Sequence, residues 1–331
     1  MYLGLRDIRA AMGRFALVTS VVALITLLLV MLTGLAGGLA DQNTSALKAL
    51  GPDRYVFSAA GEPSFTSSSV TTGDEEAWQD AAGPDADVVP LGIATTRVDA
   101  RGTAEPVTLM GLPAGTPVPG GDVPDHGLLL PESLGGTADT EYMNHQPVAW
   151  ADLDTWEAMT GASSPTVLMV TADLSDDDWD AAADSTGTVA TTVDDSFAAL
   201  PAYQSERGSL LAIQGLLYGI SALVVVAFLS VWTIQRTRDI AVLRALGAST
   251  RYVVADAAAQ AAVILTVGVT AGGAAGGLLG ALVAGAVPFT LSLWTFLLPP
   301  VGVFLLGMCG ALVAMHRVST VDPHLALGAS A

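Results

Sequence analysis

FALVTSVVALITLLLVMLTGLAGGLA, residues 15–40, contains no charged side chain. A helix needs about 20 apolar residues to cross the hydrocarbon of a bilayer, so this run suffices for one crossing. It exceeds the core of a secretory signal and ends without a small-x-small cleavage site, which marks it as a retained helix. Working outward, residues 208–235 and 257–315 are equally free of charge. The first of these holds one span. The second has room for two, with breaks expected near Pro288 and again at Pro299–Pro300. Four transmembrane helices are the expectation.

The charge that is missing from these runs is concentrated between them. Residues 41–207 hold 28 of the 32 acidic side chains and five of the 13 basic ones. The chain therefore joins an acidic, soluble domain to an apolar frame. Arg6, Arg9 and Arg14 precede the first span; Arg236, Arg238, Arg244 and Arg251 lie between the second and third; Arg317 follows the fourth. With alternating helices all eight fall on one side, the positive-inside pattern. Both termini are then cytoplasmic in a multi-pass plasma-membrane protein, and the domain is extracellular. Its charge argues against close capture of anionic polymers, nucleic acid included.

The expected organisation is an amphipathic N-terminal segment and first transmembrane helix over 1–40, and an α+β extracellular domain over 41–207. The second transmembrane helix covers 208–235, a cytoplasmic helix 236–252, the third span 253–287, the fourth 293–315 and a cytoplasmic tail 316–331. Ser45–Leu50 continue the first helix above the membrane. Within the domain Arg54–Phe57, Val88–Val98, Pro106–Leu112, Leu128–Leu130 and Thr166–Thr171 read as strands. Asp74–Ala82 and Asp176–Ala183 read as helices with acidic first turns. Ser64–Thr72 and Gly111–Pro124 read as loops.

Small residues recur every four positions in the third span: Gly268, Gly272, Gly276, Gly280 and Ala284, beside Gly273, Gly277, Ala281 and Gly285. Such faces let helices approach closely in lipid. They fit either tight packing within one chain or a surface that slides or dimerises. Cys309, the only cysteine, is expected to be a small buried residue of the fourth span. Lys48, the only lysine, is followed by Ala49, so a Gly-x-x-x-x-Gly-Lys-Ser/Thr loop cannot be built. This chain is not an ATPase. Gly-x-Ser-x-Gly, His-x-x-x-His and Cys-x-x-Cys are also lacking.

Thr237-Arg238-Asp239-Ile240-Ala241-Val242-Leu243-Arg244-Ala245-Leu246-Gly247-Ala248-Ser249 follows the second span. It reads as a short amphipathic helix, with Gly247 placed to end it. The stretch resembles the Arg-x-x-Glu/Asp-Ile-x-x-Leu-Arg-Ala-Leu-Gly-Ala pattern of FtsX-like, MacB-type ABC permeases, departing only in having Asp239 where glutamate is commoner. Topology and the closing Val321-Asp322-Pro323 extend the resemblance along the chain. It implies a homodimer of permeases working with two ABC ATPase chains that carry ATP and magnesium. Arg238, Asp239, Arg244 and Gly247 would be the residues that dock on the ATPase. The plainer reading is an interfacial helix whose arginines reach lipid phosphates.

Two more stretches, Leu32-Thr33-Gly34-Leu35-Ala36-Gly37-Gly38-Leu39-Ala40 and Pro201-Ala202-Tyr203-Gln204-Ser205-Glu206-Arg207-Gly208, resemble the permease subunit of Gram-positive haem exporters. The resemblance implies haem, a flat amphiphile that partitions into lipid, as the transported ligand. Tyr203 and Glu206 sit three apart, on one face of a helix that begins early enough, and phenolate or carboxylate oxygen can take ferric iron. Met31 could supply sulfur, and Arg207 could pair with a propionate. Against this, tyrosine commonly anchors a membrane interface, and glutamate favours the first turn of any helix. A permease for a peptide, antibiotic or glycolipid, or a mechanotransmitter regulating an extracellular enzyme, remain open alternatives.

Overall fold

The computed structural model describes residues 12–100, 102–235 and 249–319. The segment 1–11 and the stretch 236–248 lie outside them. In chain order the described elements begin with α1 (Met12–Leu50), β1 (Arg54–Ser58), α2 (Thr72–Ala82), β2 (Asp87–Ala100) and β3 (Thr103–Leu112). Next come β4 (Pro117–Val118), β5 (Gly121–Asp122), β6 (Leu128–Leu129), β7 (Tyr142–Met143), β8 (Gln146–Asp152), α3 (Leu153–Thr160) and β9 (Val167–Thr171). The series closes with α4 (Asp176–Thr186), β10 (Thr188–Thr192), α5 (Val193–Ser196), α6 (Pro201–Gln235), α7 (Thr250–Val283) and α8 (Leu293–Ser319).

Two units result: Leu39–Gly208, and the combination of Met1–Gly38 with Ser209–Ala331. In the first, an eight-stranded sheet runs in the order β10-β1-β9-β2-β3-β8-β6, with β7 added on β8. Every pairing is antiparallel except β3 with β8. Tyr55, Phe57, Phe65, Met110, Leu112 and Trp150 fill the main core, joined by Ala46 and Leu47 from the end of α1 and by Tyr203 from the start of α6. Trp78 of α2 and Trp179 of α4 cover another apolar layer, and the Trp78 indole donates to Thr188 Oγ1 at 2.9 Å. Helix starts are capped as their sequences dictate. Thr71 and Asp74 form a capping box on α2, Ser175 caps α4, and Asp152 caps α3.

The stretches read as loops are held by the core. Phe65 and Val70 are fully buried in one, and Val118 and Val123 in the other, which folds into the β4–β5 hairpin. Strand β8, helix α3 and strand β10 were not expected from the sequence.

Among the described residues, four helices are long and apolar enough to cross a membrane: Phe15–Leu50, Pro201–Phe228, Val254–Val283 and Leu293–Val313. The glycine rows of α7 serve packing inside the helical unit. A side chain at Gly268, Gly272 or Gly276 would meet Val22, Ala23, Thr26 or Val30 of α1, and one at Gly273 or Gly277 would meet Pro300 or Phe296 of α8. The chain breaks helix around Pro288, as expected, but not at Pro299–Pro300, which lie inside α8. Proline removes only its own donor, and a helix in an apolar surrounding gains nothing by giving up its other backbone bonds, since no water is there to replace them. Cys309 is exposed on α8 rather than buried.

Candidate functional site

The first turns of α6 carry three of the residues singled out in the sequence. Pro201 opens the helix, a position where its missing N–H is not needed. Tyr203 therefore lies in the first turn and Glu206 and Arg207 in the second. The Tyr203 ring packs edge-on against Phe197, with centroids 5.8 Å apart, and belongs to the main core. Arg207 lies over the same ring at 5.9 Å, a cation–π distance. Tyr203 and Arg207 are thus brought together.

Glu206 faces different partners. Its Oε1 lies 2.8 Å from Nε2 of His145, and its Oε2 accepts a 3.0 Å hydrogen bond from Nδ2 of Asn43. Asn43 Nδ2 also lies 3.2 Å from His145 Nε2 and donates to the Leu39 carbonyl at 3.0 Å. The other imidazole nitrogen, Nδ1, lies 3.3 Å from Gln42 Oε1. Nε2 therefore faces both the Glu206 carboxylate and the Asn43 amide, and Nδ1 faces the Gln42 amide oxygen. Glu206 and His145 each keep about a third of their side chain exposed (36% and 33%). Asn43 is fully buried, and its Oδ1 has no hydrogen-bond partner.

His145 reaches this place through the backbone. Asn144 and His145 form the two-residue turn between β7 and β8 with φ of 51° and 62°, the left-handed pair that a tight hairpin demands. The His145 N–H donates to the Gln42 carbonyl at 2.9 Å, and the Tyr142 N–H donates to Ser45 Oγ at 2.8 Å. The hairpin is thereby fastened along α1, and its tip meets α6.

Gln42, Asn43 and His145 were not anticipated. Asn-His between two short apolar segments was the available signal, a turn that accepts positive φ. Met31 is half-buried on α1 in the helical unit. Arg238, Asp239, Arg244 and Gly247 lie outside the described residues. The glycines at 34, 37 and 38 have a packing role. A side chain at Gly34 would strike Phe289, one at Gly37 Thr290, and one at Gly38 the Pro288 backbone. Thr290 N–H also donates to the Gly34 carbonyl at 3.0 Å. This part of the motif seats the turn between α7 and α8.

Residues 211–323 match the family described as FtsX-like permease C-terminal. The "Putative hemin transport system permease protein HrtB" of Staphylococcus epidermidis, found in two strains, is 23% identical over 99% of both chains. The protein of the same name from Staphylococcus haemolyticus is 29% identical over 39% of this chain and 37% of its own.

Proposed function

We propose that this chain is the membrane subunit of an ABC-type exporter that expels haem or a similar membrane-partitioned amphiphile, a reading supported by the match of residues 211–323 to the FtsX-like permease C-terminal family. A separate ATPase, carrying ATP and magnesium, supplies the energy. Two copies of that ATPase serve two copies of this chain, docking through Arg238, Asp239, Arg244 and Gly247. The positive-inside pattern supports cytoplasmic termini and an extracellular domain.

The observation that carries the substrate is the end-to-end alignment with relatives named for hemin transport. The second turn of α6 adds chemical support, since Glu206 offers a partly exposed carboxylate that can take ferric iron. Arg207 is available to a propionate, and Met31 to sulfur ligation. Tyr203 is the other oxygen donor, although its ring already packs on Phe197. Two-copy assembly is supported by α6, where side chains at Gly215 and Gly219 would meet nothing within 4 Å among the described residues. That is an open small-xxx-small face.

Hemin titration of the detergent-purified chain, followed by Soret absorbance, tests this reading. The expected result is a saturable shift at about one hemin per two chains, as a two-fold axis allows. Glu206→Ala should weaken it about tenfold or more. Tyr203→Phe keeps the core packing and reports on the hydroxyl alone. A featureless titration overturns haem as the substrate.

A further inference from the structure

We propose that His145 and Asn43 are positioning residues that latch Glu206, so that a ligand taken by Glu206 must displace the imidazole and thereby free the start of α6 from the β7–β8 turn. This rests on Glu206 being the substrate carboxylate.

Glu206 has two oxygens, and both are engaged: Oε1 by His145 at 2.8 Å and Oε2 by Asn43 at 3.0 Å. The two partners stand on different elements, the hairpin tip and α1. His145 cannot withdraw freely, because its backbone N–H is bonded to the Gln42 carbonyl and its Nδ1 faces Gln42 Oε1. Asn43 is fixed by its burial and its bond to the Leu39 carbonyl. The side chain free to move is that of Glu206, a third of which is exposed. A metal centre or cation binding its carboxylate competes with an imidazole 2.8 Å away for the same oxygen. Binding and release are then two descriptions of one equilibrium, and each must influence the other by the same factor.

Asn43 Oδ1 strengthens the assignment. A buried acceptor without a partner is costly, and turning the amide over would offer it to the carboxylate as a second oxygen. Asn43 therefore keeps its N–H₂ on Glu206 at the expense of its own oxygen, as expected of a residue placed to hold a carboxylate.

The test uses the full chain in detergent, as wild type, His145→Asn, Glu206→Gln and the double variant. Asparagine tolerates the left-handed backbone of position 145, so His145→Asn removes the imidazole without breaking the turn. Without ligand, hydrogen exchange over residues 201–207 should accelerate several-fold in each single variant and no further in the double. With hemin as the probe, His145→Asn should bind about two- to fivefold more tightly, the equivalent of one partly exposed ion pair. Hemin should also accelerate exchange over 201–207 in the wild type. Additive exchange effects overturn the latch. Weaker hemin binding by His145→Asn overturns it as well, since the imidazole would then itself be a ligand. Non-additive exchange in a chain that binds no hemin upholds the latch and refutes haem as the substrate.

Discussion

Single side chains in this protein are legible where their chemistry is local. Glu206, Tyr203 and Arg207 stand within five positions of one another, and helical geometry alone relates them. His145 was invisible because 61 positions separate it from Glu206 and 102 from Asn43, and only the sheet brings them together. Tyr55 is a similar long-range case. Its buried hydroxyl donates to the Leu47 carbonyl at 2.8 Å, in the final turn of α1, where helix termination leaves carbonyls without partners. Burial pushes the Tyr55 phenol well above its usual range, so it remains a donor. Tyr55→Phe should lower domain stability by about 1–3 kcal/mol, read by chemical denaturation. Asp152 gives a pH-dependent case. Burial alone would raise its pKa, but the Thr155 hydroxyl and N–H, with His126 nearby, hold it below the ordinary value. The ionised group therefore stabilises the fold above the usual carboxylate range, and that contribution is lost as pH falls through the lowered folded value. Thr155→Val should be less stable than wild type, most so at neutral pH, with the gap narrowing in acid.

Elements were readable where hydrophobic period and flanking turns agreed. β2, β3, α2 and α4 contain the residues expected of them, because each has an alternating or capped pattern of its own. β8 escaped notice because Pro147 near its start argues against a strand, and because its apolar run acquires meaning only beside β3, its parallel neighbour. The glycine rows of α7 announced close packing but not the partner. Ala23 is that partner for Gly272, through its backbone carbonyl, so no rotamer change can relieve a clash. Gly272→Leu should force α1 and α7 apart and destabilise the chain by roughly 3 kcal/mol, seen as a lowered melting temperature in detergent. Gly215→Leu should leave that temperature nearly unchanged, since a side chain there would meet nothing within 4 Å among the described residues. It should instead reduce cross-linking between copies.

At the scale of the molecule, charge segregation gave the two-part character, and hydropathy the four long helices. What charge could not show is that the ends of two long helices, α1 and α6, complete the core of the sheet unit. Ala46, Leu47 and Tyr203 are core residues of a domain whose strands lie between Arg54 and Thr192. A fragment spanning residues 39–208 should fold cooperatively. One trimmed to 52–200 should lose its near-ultraviolet dichroism, because the helix ends that fill the core are gone. With 28 acids against five bases in residues 41–207, the longer fragment should also gain melting temperature as salt rises from 10 to about 150 mM, where screening reaches within roughly 8 Å. The contact between Gly34 and the turn holding Phe289 and Thr290 bears on biogenesis. Gly34 leaves the ribosome with α1, whereas its partner emerges about 250 residues later, a delay on the order of tens of seconds at usual elongation rates. Until then the glycine seat stands empty, and α1 is open to whatever helper the insertion machinery provides. A hairpin made about 250 residues later is the one that locks α1 in place.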